Sequence, residues 1–131
     1  DRRADIDHLL IGSGGVWTVN AKAHGALDVR VVGDRVTVGR SHVDHVRAAR
    51  HEAALVSRIL RTNGSSVPVR AAVALDLDAR AELHVVQDPA DVVIDRVAHV
   101  VEAIQASEGV VDQVTINKVF GLLRQRVTWE G

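Results

Sequence analysis

Apolar and polar residues alternate along the first third of the chain, in short runs separated by turns that contain glycine. The runs cover residues 6–11 (IDHLLI), 16–22 (VWTVNAK), 27–32 (LDVRVV) and 36–39 (VTVG). A period of two is the pattern of a strand that buries one face, and glycine-bearing turns between such runs are typical of hairpins. This part of the sequence therefore predicts a meander of strands.

The spacing of apolar residues becomes helical from about Ser41 to Thr62. Ser41, followed three residues later by Asp44, is a variant of the capping box, and Asn63 begins an Asn-Gly stop signal. The buried stripe is predicted to contain Val46, Ala49, Ala53, Val56 and Leu60. The outer face is predicted to carry Arg47, Arg50, Glu52, Arg58 and Arg61. We interpret this outer face as an ordinary solvated surface in preference to a phosphate contact.

Two further strands and a second helix are expected after this first helix. Residues 67–77 (VPVRAAVALDL) are apolar on both faces, which indicates a strand inside a sheet, and residues 83–86 (LHVV) predict a shorter strand. The next helix is expected to begin at Asp88, with Pro89 at its first position, and to end at Gly109. Its apolar stripe would be Val93, Val97, Val100, Val101 and Ile104.

A last helix is expected from Thr115, with Val119, Phe120 and Leu123 on its buried face. Strands followed by helix, strand and helix predict an α/β or α+β sandwich around a mixed sheet. The 131 residues are enough for one domain, which we assign to 1–131.

Composition narrows the class of protein without naming it. Apolar residues make up 47% of the chain, so a hydrophobic core is expected, and the formal net charge of −1 argues against a protein that coats nucleic acid. Cysteine is absent, which excludes disulfides and thiolate chemistry. No apolar run approaches the roughly 20 residues that span a bilayer, and no signal-peptide pattern is present. A cytoplasmic protein without membrane contact is therefore expected.

The first predicted hairpin carries candidate chemistry at its open end. If the GSGG turn pairs Ile11 with Val16, the same register pairs Asp7 with Asn20. Alternation then places Asp5 and Asp7 on one side together with Asn20 and Lys22, and directly opposed Cβ atoms lie about 5 Å apart. Carboxylate and amide oxygens beside an ammonium are suited to a hard cation such as Mg²⁺ and to a phosphate.

Lysine is rare in this chain, which makes Lys22 notable. Lys22 and Lys118 are the only lysines, and all other basic residues except histidine are arginine. An ammonium is a compact charge whose pKa moves readily, whereas a guanidinium stays protonated. We therefore expect Lys22 to be placed where arginine would not serve.

The hairpin resembles the NERD (nuclease-related) domain, a branch of the PD-(D/E)xK nuclease superfamily. The matching features are Ile6-Asp7-His8, the apolar strand, the Gly-Gly-Val after the turn, and VWTVNAK ahead of Gly25. The resemblance is best over residues 1–107, and residues 108–131 are expected to add a C-terminal helix. It implies a restriction-endonuclease-like α/β sandwich, with a mixed central sheet flanked by helices and with the superfamily's N-terminal helix absent from this chain.

The resemblance also implies a role for individual residues. Asp7 matches the metal-binding aspartate, Lys22 matches the catalytic lysine, and the backbone carbonyl of Ala21 matches a further metal ligand. Asn20 stands where the family has Asp or Glu. An amide oxygen still binds a cation, but one negative charge is lost, so weaker Mg²⁺ or Mn²⁺ binding and weaker DNA cleavage are expected.

Three hypotheses remain open at this point. The first is a metal-dependent nuclease acting on DNA, weakened by Asn20. The second is an inactive pseudo-nuclease that binds nucleic acid or a protein partner. The third is a structural module whose hairpin end is merely polar. A strand edge left exposed by the missing N-terminal segment would favour a homodimer.

The histidines do not predict a zinc site. His42, His45 and His51 fall on the first predicted helix, where His42 and His45 could share a face, but the chain has no HExxH pattern and no cysteine ligand. His24 is expected at a surface or edge position.

Overall fold

The computed structural model describes residues 8–107, 109 and 111–124, which form eight strands and three helices. The strands are β1 (His8–Gly12), β2 (Gly15–Gly25), β3 (Val29–Val32), β4 (Arg35–Val38), β5 (Ser41–Val43), β6 (Val69–Leu77), β7 (Leu83–Gln87) and β8 (Val92–Arg96). The helices are α1 (His45–Thr62), α2 (Val97–Ala106) and α3 (Gln113–Arg124).

The strands form two mixed sheets, which confirms the predicted α/β class. The first sheet has the order β1-β2-β6-β8, in which β1 is antiparallel to β2 while β2, β6 and β8 are parallel. The second sheet has the order β5-β4-β3-β7 and adds a parallel β7 to an antiparallel meander. The sequence did not predict this division into two sheets.

β6 lies in the middle of the protein because both of its faces are apolar. Val73 and Leu75 pack against α1 and against the inner valines of the second sheet. Ala72 and Ala74 on the other face pack with Trp17 and with Val100 of α2. The predicted interior strand is thus confirmed, and the first sheet is covered by α1 and the second sheet on one side and by α2 on the other.

The predicted hairpin register is confirmed in every described pair. Ile11 pairs with Val16, Leu10 with Trp17, and the ladder continues to His8 and Val19. Gly12 and Gly15 also pair, so the connection is shorter than the expected four residues. Asp5 and Asp7 lie outside the described residues, and their positions stay predictions.

α1 begins later than expected. Residues Ser41–Val43 form β5, which pairs with β4, and the helix starts at His45. Asp44 is the N-cap and makes no side-chain cap hydrogen bond, so the predicted Ser41 capping box is wrong. The end of the helix at Thr62 and the buried positions Val46, Ala49, Val56 and Leu60 are as predicted.

The prediction of a helix from Asp88 is wrong for the residues before Val97. Residues Val92–Arg96 form β8, and the helix α2 begins only at Val97. β-Branched Val92, Val93 and Ile94 pair with Ala71–Val73 of β6, and this pairing overrides the helical spacing of the valines. The helix also ends earlier than Gly109, at Ala106.

α3 buries Val119 and Leu123 as predicted, but Phe120 is 54% exposed, which corrects its assignment to the buried face. Within the part of the chain that the structure describes, no helix is long and apolar enough to cross a membrane.

Candidate functional site

Alternation along β2 directs one set of its side chains towards α1. Val16 packs in the same cluster as Val56 and Leu60 of α1, whereas Trp17 and Val19 pack towards α2. Because successive side chains on a strand point to opposite faces, Asn20 and Lys22 lie on the α1 side. Their Cα atoms are separated by two residues of strand, or about 7 Å, which is close enough for both side chains to contact one small ligand.

Asn20 faces a carboxylate of α1. Its side chain is 4% exposed, and its Nδ2 donates a short hydrogen bond to Oε2 of Glu52. A carboxylate accepts only, so the amide nitrogen must be the atom that faces it, and Oδ1 points elsewhere. A hydrogen bond to an ionised carboxylate is about twice as strong as one between neutral groups. This contact therefore fixes both side chains between strand and helix.

His24 and His45 form a second contact between β2 and α1. Their Nε2 atoms are 2.8 Å apart, and their rings stack with centroids separated by 5.1 Å. Burial first, and then the nearby charges of His24 and Lys22, lower the pKa of His45 from 6.5 to about 4. His45 is therefore a neutral imidazole at pH 7, able to accept the proton that His24 donates.

Lys22 lies between these two contacts. It is half-buried, it follows Asn20 and precedes His24 on the same face of β2, and its charge acts on His45. The site thus orders an amide, an ammonium and an imidazole along the strand, with a carboxylate and an imidazole from the helix beside them. Ala21, whose carbonyl is a predicted metal ligand, belongs to β2 between Asn20 and Lys22 and is exposed.

The described donors fit a hard cation by type. Glu52 offers carboxylate oxygens, Asn20 an amide oxygen and Ala21 a backbone carbonyl, all of which are ligands that Mg²⁺ accepts. Across residues 8–107, 109 and 111–124, no cluster of three or more His, Cys, Asp or Glu residues has metal-binding geometry. A complete carboxylate set would therefore need Asp7, which the predicted register pairs with Asn20.

Glu52 is the site residue that the sequence interpretation misplaced. The helical pattern assigns it to the outer face of the helix, but the structure turns it towards β2. Its spacing carried a usable signal, since Glu52 follows Ala49 by three residues and precedes Val56 by four, and both of those are buried. A half-buried carboxylate beside an apolar stripe needs a polar partner, and Asn20 is that partner.

The expectation for the histidines is also corrected. His42 lies on β5 and His45 on α1, so they do not share a helix face. His24, expected at a surface or edge position, is half-buried against His45. Contacts between residues 21 positions apart leave no periodic trace in a sequence, which is why this pair was missed.

Comparison with known families identifies the N-terminal part of the chain. The profile of the nuclease-related domain (NERD) family matches residues 1–76, which include β1 to α1 and most of β6. Neither the curated proteins nor the solved structures contain a match to the chain.

Proposed function

The chain belongs to the nuclease-related domain (NERD) family, and from that premise we propose that it is a weakened, metal-dependent nuclease. The reaction would be hydrolysis of DNA phosphodiester bonds, with Mg²⁺ or Mn²⁺ as the cofactor. The observation that carries the proposal is the contact between Asn20 and Glu52 beside Lys22. It brings a carboxylate to the position where the family's Asp or Glu has been replaced by an amide.

Each residue would have a separate task in this reaction. Asp7, Oδ1 of Asn20, the carbonyl of Ala21 and the carboxylate of Glu52 would hold the cation. A bound Mg²⁺ would polarise a phosphoryl oxygen and lower the pKa of its water. Lys22 would donate hydrogen bonds to the attacking water or to a phosphate oxygen and balance the charge that develops there.

The amide at position 20, where the family has Asp or Glu, determines how tightly the site is expected to bind a cation. A neutral amide leaves the cation with one fewer negative ligand, so affinity for Mg²⁺ falls. Glu52 supplies a charge from α1, but its Oε2 is already engaged by Nδ2 of Asn20. The cation would therefore share the Glu52 carboxylate with the Asn20 amide, which is a further reason for weak binding.

The test is cleavage of single- and double-stranded DNA in the presence of Mg²⁺ or Mn²⁺. We expect Asn20→Asp to increase the rate, and Lys22→Ala to abolish it in both backgrounds. Lys118→Ala is the matched control, because it removes the other lysine, which lies on the exposed side of α3. Equal rates in the Lys22 and Lys118 variants would refute the proposed site.

A second candidate function is an inactive module that binds nucleic acid or a protein partner. The same hydrogen bond favours it, because the Asn20 amide satisfies Glu52 without any cation. DNA binding without cleavage, both in the wild type and in Asn20→Asp, would select this function over the first.

A further inference from the structure

Three arginine side chains converge on a groove over the outer face of the second sheet. Arg30 lies on β3, Arg35 on β4 and Arg47 near the start of α1, and all three are exposed. They line the groove together with Thr37 and His42. The valines that alternate with them on β3 and β4 point inwards to the core, which is why these polar side chains point out.

The charges in and beside this groove are unbalanced. Among the residues that the structure describes, no carboxylate forms a salt bridge with Arg30, Arg35 or Arg47. Asp34 lies in the groove, and Arg50 holds its two oxygens at 2.7 and 2.8 Å. These hydrogen bonds, with a smaller contribution from the charge of Arg47, lower the pKa of Asp34.

Asp44 is the other carboxylate at this surface and borders an adjoining cavity with Arg35 and Arg47. Arg30, Arg35 and Arg47 thus face two carboxylates, Asp34 and Asp44, and Arg50 also holds Asp34, in a protein whose overall formal charge is −1. Cations that outnumber the carboxylates beside them repel one another, and an external anion lowers that cost.

The geometry favours a chain of phosphates over one isolated anion. His42, Thr37 and Arg30 lie side by side across β5, β4 and β3, because Thr37 pairs with both of the others. Three adjacent strands span roughly 10 Å, so these side chains form a row and do not surround one point. Within the row, Thr37 Oγ1 and His42 Nδ1 are hydrogen-bonded at 3.1 Å, which leaves the Nε2 edge of His42 and the guanidinium of Arg30 to face a ligand. Guanidinium groups bind phosphate oxygens in a bidentate manner.

We propose that this arginine groove binds the phosphodiester backbone of a nucleic acid strand. The groove and the Lys22 site lie on different flanks of α1: Glu52 and His45 contact β2, whereas Arg47 and Arg50 face the second sheet. The grouping of the three arginines is observed independently of the proposed function, whereas the choice of nucleic acid as the polyanion rests on that function. The groove would hold substrate outside the site of reaction.

The experiment measures binding of short labelled single- and double-stranded DNA by fluorescence anisotropy, in EDTA so that no cleavage occurs. The variant Arg30→Gln/Arg35→Gln/Arg47→Gln is compared with Arg58→Gln/Arg61→Gln/Arg80→Gln, which removes the same charge from exposed positions that do not line the groove. Circular dichroism melting establishes that both variants fold.

The groove variant is expected to bind at least roughly tenfold more weakly at low salt, and to lose about 0.7 to 0.9 from the slope of log K against log salt for each phosphate contact removed. The control variant should retain the wild-type slope. Equal losses in both variants would show that only total charge matters and would overturn the proposal. So would an absence of binding by the wild type.

Competition with unlabelled anions tests which kind of anion the groove binds. Unlabelled oligonucleotide should displace the probe, whereas inorganic phosphate and polyglutamate at equal charge concentration should not. Displacement by phosphate alone, or equally by polyglutamate, would contradict a strand-binding groove. This assay in EDTA measures binding alone and the cleavage assay measures catalysis, so a failure of the proposed catalysis is distinguishable from a failure of the groove.

Discussion

His45, the first residue of α1, stacks on His24 near the end of β2, and their Nε2 atoms are 2.8 Å apart. Only one of these two atoms carries the proton of the hydrogen bond, so at least one ring is neutral. Burial and the adjacent positive charges keep that ring neutral, because they lower the pKa of His45 to about 4. The helix and the strand are therefore joined by a contact that is lost when both rings are protonated.

The first prediction is that stability depends on pH through His45. The unfolded chain binds this proton below about pH 6.5, whereas the folded protein binds it only near pH 4. The free energy of unfolding should therefore fall as pH is lowered through this window, by at most about 1.4 kcal/mol per pH unit from this one group. Urea unfolding of the wild type and of His45→Asn measures it. The variant should show a shallower dependence, and parallel curves would contradict the assignment.

The second prediction concerns the charge of Lys22. Its ammonium is among the groups that lower the pKa of His45, after burial and His24. Lys22→Met removes that charge while keeping an unbranched apolar side chain, so the pKa of His45 should rise towards its ordinary value. An NMR titration of the ring protons measures the shift, with Lys118→Met as the control. An equal change of the His45 pKa in both variants would show that the charge of Lys22 has no specific effect on His45.

The third prediction separates cation binding from catalysis. Asn20→Asp replaces the amide donor by a carboxylate that faces Glu52 in a buried position, so without metal the protein should lose at least about 2 kcal/mol of stability. Mg²⁺ or Mn²⁺ should restore it, by about 2.7 kcal/mol at a hundred times the dissociation constant. Thermal unfolding with and without the cation measures both effects.

Asn117→Asp is the control for this experiment, because Asn117 is exposed on α3 and its Oδ1 already acts as an acceptor. It should show neither the loss nor the recovery. If Asn20→Asp is destabilised and neither cation rescues it, the site formed by Asn20, Lys22 and Glu52 does not bind a metal.

The fourth prediction tests the turn that sets the hairpin register. Gly15 has a φ of +104°, and a Cβ there would lie 2.4 Å from the carbonyl oxygen of Pro68. That oxygen accepts a hydrogen bond from the backbone of Val16 and cannot move without breaking it. Gly15→Ala should cost roughly 2–4 kcal/mol of stability.

Gly12 provides the matched comparison within the same turn, since a Cβ at that position meets nothing within 4 Å. Gly12→Ala should change the free energy of unfolding by no more than about 0.5 kcal/mol. Similar losses from both substitutions, measured by urea unfolding, would show that the contact with Pro68 does not hold the turn.

The hairpin was predictable because its determinants are local. A glycine turn flanked by two alternating runs favours one register, in which Ile11 pairs with Val16 and His8 with Val19. The interior strand β6 was predictable for a related reason, since Ala71–Leu75 are apolar on both faces. Neither prediction required knowledge of a distant partner.

The segment from Val92 shows where local information ends. Its valines fit both a helical stripe and a parallel strand. The strand forms because the backbone of Ala71–Leu75 in β6 provides hydrogen-bonding partners for it. The edge of β6 lies some twenty residues away in the sequence, so the spacing of apolar residues around Val92 carries no information about it. The same limit explains β5, whose three residues become a strand only because β4 is beside them.

The sequence by itself determined the family, the hairpin and the order of Asn20 and Lys22 on one face of a strand, because turn chemistry and alternation act between neighbouring residues. The tertiary structure alone decided that Glu52 meets Asn20, that His45 meets His24, and that three arginines from β3, β4 and α1 share a groove. These contacts join distant parts of the chain, and their geometry is set by how α1 and the second sheet pack on the first sheet. This packing depends on all the buried side chains together, and they come from segments far apart in the sequence.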